Sequence, residues 1–205
     1  MAYIGDNAVE LEPVKTDTLG PLAKLILPDL PGCDDLVVRM KLGAALREFC
    51  RETNACTITM PLVVQEHGVI PIPAAPGGML VNTVLDVVCN GYTVPFRVED
   101  GYVQRIVVLR GAGEGDIAQV KFSVYPKAGG ESCPEWFVER FAEAITAGAL
   151  HKLLSMTGRP WSDAQKAAIF GAEYTDAIAE ASYRSLGSQL SGGSESAIPQ
   201  GGLFM

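Results

Sequence analysis

The chain has only two histidines, His67 and His151, and neither has a second His or Cys at metal-ligand spacing. His67 sits in a Gln-Glu-His-Gly turn and His151 inside a helical stretch, so both read as surface or boundary residues rather than ligands or bases. The five cysteines (Cys33, Cys50, Cys56, Cys89, Cys133) are odd in number, scattered and never in C-x-x-C. That argues against a disulfide framework or a zinc site and for reduced thiols in a cytoplasmic product. A cysteine nucleophile needs a histidine and an orienting group beside it, whereas Cys50 and Cys89 fall at core positions of a helix and a strand. No apolar run approaches the ~18 residues of a membrane span, and MAYIGDNAVELEPVK lacks the basic start and apolar centre of a secretory signal. Positive charge is also short: 16 Lys and Arg stand against 24 Asp and Glu, giving a net charge of −8 and a pI near 4.8. Phosphate binding needs clustered Lys and Arg, so this is a poor composition for gripping nucleic acid. Arg110-Gly-Ala-Gly-Glu-Gly has the glycines of a phosphate loop but no G-K-[ST] and no following helix, so it reads as a hairpin loop. No catalytic, cofactor-binding or metal-binding residue is expected, and no cofactor.

What is present is a core. Hydrophobic residues make up 48% of 205 residues and charged residues 20%, ordinary values for one large or two small folded domains. The stretch from Ser132 to Ser185 carries the strongest local signals. Ser132 lies three residues before Glu135 at capping-box spacing, and Pro134 suits an opening turn. Apolar residues then recur at Phe137, Phe141, Ala144, Ile145, Gly148 and Met156, with Glu135, Glu139 and Glu143 on a solvated face. Gly158-Arg159-Pro160 ends this helix, and Ser162 with Gln165 predicts the cap of the next. The second stripe is Ala167, Phe170, Gly171, Tyr174, Ala177, Ile178 and Ala181. Small residues such as Ala144, Gly148, Ala167 and Gly171 permit close backbone approach, within or between subunits, and Trp161 anchors the hairpin.

Upstream, residues 1–20 read as a polar arm, and Leu22–Gly32 as a brief helix or an extended stretch. A first long helix is expected from Cys33–Asp35 to Thr53-Asn54, with Asp34 and Asp35 favouring its positive end. Its apolar face is Leu36, Met40 and Gly43 with Val38, Leu42, Ala45, Leu46 and Phe49. The period then becomes two. Thr57–Val64 with Pro61 suits an edge strand, Val81–Cys89 a strong strand, and Asn90-Gly91 and Asp100-Gly101 tight hairpins. Tyr102–Leu109 follows, then a flexible loop from Arg110 to Asp116, then alternation of Ala118, Val120, Phe122 and Val124. The expected architecture is α+β: a bundle of about three long helices with an inserted antiparallel sheet or sandwich. The segments are 1–55 (arm and first helix), 56–127 (β insertion), 128–187 (helical hairpin) and 188–205 (a Gly/Ser-rich C-terminal arm). That arm ends in Leu203-Phe204-Met205, an apolar tip suited to ordering on a partner.

Three segments carry a resemblance. They are the P-G-C-x-D lead into a helix ending R-E-F-C-R (Arg47–Arg51), A-G-A-L-x-x-L-L (Ala147–Leu154) and P-W-S-D (Pro160–Asp163). Over residues 25–186 the chain resembles the head-to-tail adaptor (connector or neck) proteins of tailed bacteriophages, in the tail tubular protein A-like class of short-tailed phages. The resemblance implies a virion protein, made in the host cytoplasm, that forms a ring, commonly twelvefold, under the portal. Such a ring extends the DNA channel and receives the tail. Implied partners are further copies of the chain, a portal protein and a tail or nozzle protein, with no membrane and with DNA passing unbound. The implied portal-docking segment is Ala197, Ile198, Pro199, Leu203, Phe204 and Met205; the subunit-packing positions are Ala144, Gly148, Trp161, Ala167 and Gly171. A negative subunit lets DNA slide through such a channel. A tail-completion ring, and a cytoplasmic enzyme or ligand-binding α+β protein, are the competing expectations.

Overall fold

A computed structural model describes residues 18–99, 104–129 and 133–191. The Asp100-Gly101 hairpin, Ser132 and the arm beyond Ser191 lie outside them. The described chain is mixed α+β, with five α-helices and two antiparallel sheets.

Leu22–Gly32 resolves into a short helix, α1 (Gly20–Ile26), and a 3-10 turn at Leu27–Asp29, burying Leu22, Ala23 and Ile26. The first long helix, α2 (Asp35–Thr53), starts where Asp34 accepts a 2.8 Å bond from the Leu36 N–H. It ends at Asn54, whose left-handed backbone (φ 52) closes the last turn. Val38, Leu42, Ala45, Leu46 and Phe49 are fully buried, but Leu36 and Met40, expected on that face, are exposed. The apolar stripe of α2 is wider than the face the other described residues cover.

The β region splits in two. One sheet orders β1 (Thr57–Val63), β7 (Ile117–Pro126), β3 (Met79–Cys89) and β4 (Tyr92–Thr93) as β1-β7-β3-β4. The other orders β2 (Val69–Pro71), β6 (Arg105–Val108) and β5 (Phe96–Glu99) as β2-β6-β5. Pro61 lies on edge strand β1, where its missing donor is tolerated. β7 lies between β1 and β3, and its alternating Ala118, Val120, Phe122 and Val124 are all fully buried. Asn90 (φ 53) and Gly91 (φ 82) form the tight turn after β3. The register of β3 slips between Val81 and Thr83 and again between Val84 and Asp86, so its buried positions do not keep a strict period of two. Tyr92, Val94 and Phe96 do not share one return strand, because the chain changes sheets after Thr93.

The helix expected from Pro134 onward is two helices, α3 (Glu135–Arg140) and α4 (Ala142–Leu154), broken at Phe141 (φ −114, ψ 20). Two rings at i and i+4 spacing across the break reach Phe49: Phe141 at 4.9 Å and Phe137 at 6.2 Å between centroids. Pro134 stands just outside α3, at its N-cap. The last helix, α5 (Ala164–Ser191), is capped by Asp163 rather than Ser162. Asp163 Oδ1 accepts from the Gln165 and Lys166 N–H groups at 3.1 and 3.0 Å. A carboxylate there also favours the helix dipole. The Ser162 hydroxyl is occupied instead by the Met156 carbonyl and the Arg159 N–H. α5 continues six residues past Ser185, into the stretch whose composition suggested an arm.

Candidate functional site: two faces of α5 and a thiol junction

The inward face of α5 packs on α4 and α2. Ala167, Tyr174 and Ala181 are buried, and a Cβ added at Gly148 of α4 would lie 2.7 Å from Cε2 of Tyr174. A Cβ at Gly171 would likewise lie 2.7 Å from Nδ1 of His151. These glycines let the backbones close in. Tyr174 donates its hydroxyl to the Ala45 carbonyl on α2 at 2.7 Å, and burial pushes its phenol pKa up. His151 Nδ1 pairs with the Ala167 carbonyl at 2.9 Å, a positioning role within the helix pair. Lys152 of α4 and Glu48 of α2 form an ion pair at 2.6 Å. The structure therefore places Ala144, Gly148, Ala167 and Gly171 between α4 and α5 of one chain. Trp161 is half-buried, beneath the Arg159 guanidinium (5.9 Å to the ring centre), in an open cleft of about 520 Å³ with Leu150, Leu154 and Phe170.

The outward face has a different set. Ile169, Ala172, Asp176, Ala179, Tyr183 and Leu186 follow one another at alternating spacings of three and four, and all are exposed. Ile169 is 54% exposed, Tyr183 79% and Leu186 57%. Residues at that spacing share one face of a helix, and this one carries three large apolar side chains, two alanines and the charged Asp176. Small Ala172 and Ala179 between larger ends leave room for a partner backbone. Glu173 and Glu180 flank the seam, and both are exposed.

No protein-family model and no curated protein matches this chain.

Among the described residues no helix is long and apolar enough to cross a membrane. His67 lies in an exposed 3-10 turn at φ 59. Glu135, Glu139 and Glu143 are exposed on α3 and α4. The Arg110–Asp116 loop is held rather than slack: Asp116 Oδ2 accepts from the Gly113 N–H at 2.8 Å and from Asn90 Nδ2 at 3.2 Å. The Gly113 N–H bond is the main cause that holds the Asp116 carboxyl below its ordinary range. The six residues of the implied portal-docking segment, Ala197, Ile198, Pro199, Leu203, Phe204 and Met205, lie outside the described residues.

The second feature is the junction where the chain leaves the helices for the sheets and returns. Cys50 on the last turns of α2, Cys56 just before β1 and Cys133 just before α3 are all fully buried. Their Sγ atoms lie within 4.8 Å of one another. Hydrogen bonds from Cys133 and then Cys50 hold Cys56 below the ordinary thiol value. Bonds with Cys133 and Cys56 and then burial push Cys50 up. Beside them Asn54 Oδ1 accepts from Asn82 Nδ2 of β3 and from Ser123 Oγ of β7, each at 2.8 Å. Ser185 of α5 reaches the Asn54 carbonyl at 3.5 Å. Sequence spacing gave no sign of this thiol group, because a long β insertion separates Cys133 from the other two. The α5 seam was readable as a three-four repeat, but the richer stripe one face away masked it.

Proposed function

We propose that this chain is a structural subunit of a tailed-phage virion, a head-to-tail adaptor that packs against copies of itself in a ring below the portal. The observation that carries the reading is the outward seam of α5. The helix is 28 residues long, and its face from Ile169 to Leu186 holds three large apolar side chains that the other described residues leave exposed. Leaving Ile169, Tyr183 and Leu186 in water wastes apolar area that a neighbouring subunit would remove, at about 25 cal/mol per Å². A second apolar pair, Leu36 and Met40 on α2, is exposed as well. The two patches give one subunit two exposed apolar areas for contact with neighbours.

The resemblance over residues 25–186 supplies the biological setting. In it α2, α4 and α5 act as the helical bundle, the two sheets as the insertion, and the segment beyond Ser191 as the portal-docking arm. A net charge of −8 suits a channel that must pass DNA without holding it. The test is to mix the full chain with the portal oligomer and image the product. A ring of this chain beneath the portal is the expected result. Truncation after Ser191 should weaken portal binding; equal binding by the truncated and full-length chains would remove the docking arm from the account. No ring under any condition would remove the adaptor reading.

A further inference from the structure

We propose that Cys50, Cys56 and Cys133 form a three-sulfur binding site for one thiophilic d10 metal ion, copper(I), at the junction of the helices and the sheets. Their sulfurs come from three separate segments and converge within 4.8 Å. A metal–sulfur bond of about 2.3 Å places the sulfurs of a three-coordinate ion roughly 4 Å apart, so closing the site takes only small side-chain shifts. The supports are fixed. Cys50 belongs to a well-packed helix, the Cys56 carbonyl accepts from the Val124 N–H of β7 at 2.9 Å, and Cys133 precedes the rigid Pro134 that opens α3.

The choice of ion follows from the donor set. Soft thiolates select copper(I), zinc(II) and iron–sulfur clusters. Zinc(II) in a structural site takes four ligands. Among the described residues no other Cys, His, Asp or Glu ligand atom joins the group. Both histidines lie elsewhere, one in the exposed turn and one bonded to Ala167. Three sulfurs complete the coordination of copper(I). Binding replaces S–H bonds by sulfur–metal bonds and releases the protons to water, and no electron is transferred. The ion would tie the exit of the insertion at Cys56 to its return at Cys133. This inference stands apart from the adaptor reading, because it concerns one folded chain and not its assembly.

The experiment titrates the reduced full-length protein with copper(I) anaerobically, against a copper(I) chelator, followed by gel filtration and metal analysis. One copper per chain is expected, with X-ray absorption showing three sulfur neighbours. Cys56→Ala and Cys133→Ala each remove a ligand and should lower the apparent affinity by more than the about 10–100-fold that loss of an outer-shell partner costs, whereas Cys33→Ser should leave it unchanged. Circular dichroism reports whether each variant folds. If a variant does not fold, the sulfur count on the wild-type protein decides. No retained copper, fewer than three sulfurs, or equal uptake by a folded Cys56→Ala would overturn the proposal. A parallel zinc(II) arm that yields one ion with three sulfurs and a fourth donor would overturn the three-coordinate copper assignment.

Discussion

The inward and outward faces of α5 are built from similar parts. Inward are Ala167, Phe170, Gly171, Tyr174, Ala177, Ile178 and Ala181; outward are Ile169, Ala172, Asp176, Ala179, Tyr183 and Leu186. Each has small residues punctuated by a tyrosine. Tyr174 is buried with its hydroxyl on Ala45, and Tyr183 is 79% exposed. The inward face is complementary to specific atoms: Tyr174 fills the space at Gly148, and His151 fills that at Gly171. The outward face stays exposed among the described residues, with only Ile169 at its start bordering the Trp161 cleft. Patterning therefore marks a face that wants cover, and only the fold says whether the cover comes from the same chain.

If the inward face is a folding surface and the outward face an assembly surface, substitutions should separate them cleanly. The largest expected effect is on the inward side. Tyr174→Ala removes a buried ring between α5, α4 and α2 and should destabilise the chain by about 3–5 kcal/mol in chemical denaturation, as large-to-small core changes do. Gly148→Ala forces a methyl into the Tyr174 ring and should cost about 1–3 kcal/mol by overpacking. Tyr174→Phe keeps the ring but removes the hydroxyl's bond to the Ala45 carbonyl, an expected loss of about 0.5–1.5 kcal/mol in the same measurement. Outward changes such as Leu186→Glu should stay within about 0.5 kcal/mol of wild type. A large stability loss there would break the comparison.

A perturbation far from α5 should touch neither face. The Asp116 carboxyl is held below its ordinary value of 3.8 by the Gly113 N–H, so its clip on the 110–116 loop stabilises above that pH. The contribution is lost as pH falls through the depressed folded value. Hydrogen exchange at Gly113 should accelerate as pH is lowered below 3.8 relative to the intrinsic rate, and Asp116→Asn should remove that dependence. Assembly measured at neutral pH should be the same for Asp116→Asn and wild type.

Local chemistry made much of the fold legible. Asp34 and Asn54 bound α2, Asn90-Gly91 turns the β3 hairpin, Pro61 marks an edge, and the alternation of β7 sets its buried face. The misses each come from a longer-range competitor. The helix breaks at Phe141 where its ring and that of Phe137 pack on Phe49, a contact from a distant part of the chain. The Ser162 cap yields to Asp163 because Ser162 is tied to Met156 and Arg159. The two slips in β3 reflect pairing with β7, which no local signal encodes. The thiol junction was hidden for a related reason. Cys133 meets Cys50 and Cys56 only because the chain returns to the place where it left the helices.

The most direct measurement is sedimentation velocity of the wild-type chain and of Tyr183→Glu/Leu186→Glu, each alone and with the portal oligomer. The account predicts that wild type sediments as a multi-subunit ring in at least one condition. The double variant should remain a folded single chain in both. A wild-type chain that stays single throughout, or a double variant that assembles as readily as wild type, would contradict the claim that the outward face of α5 joins subunits.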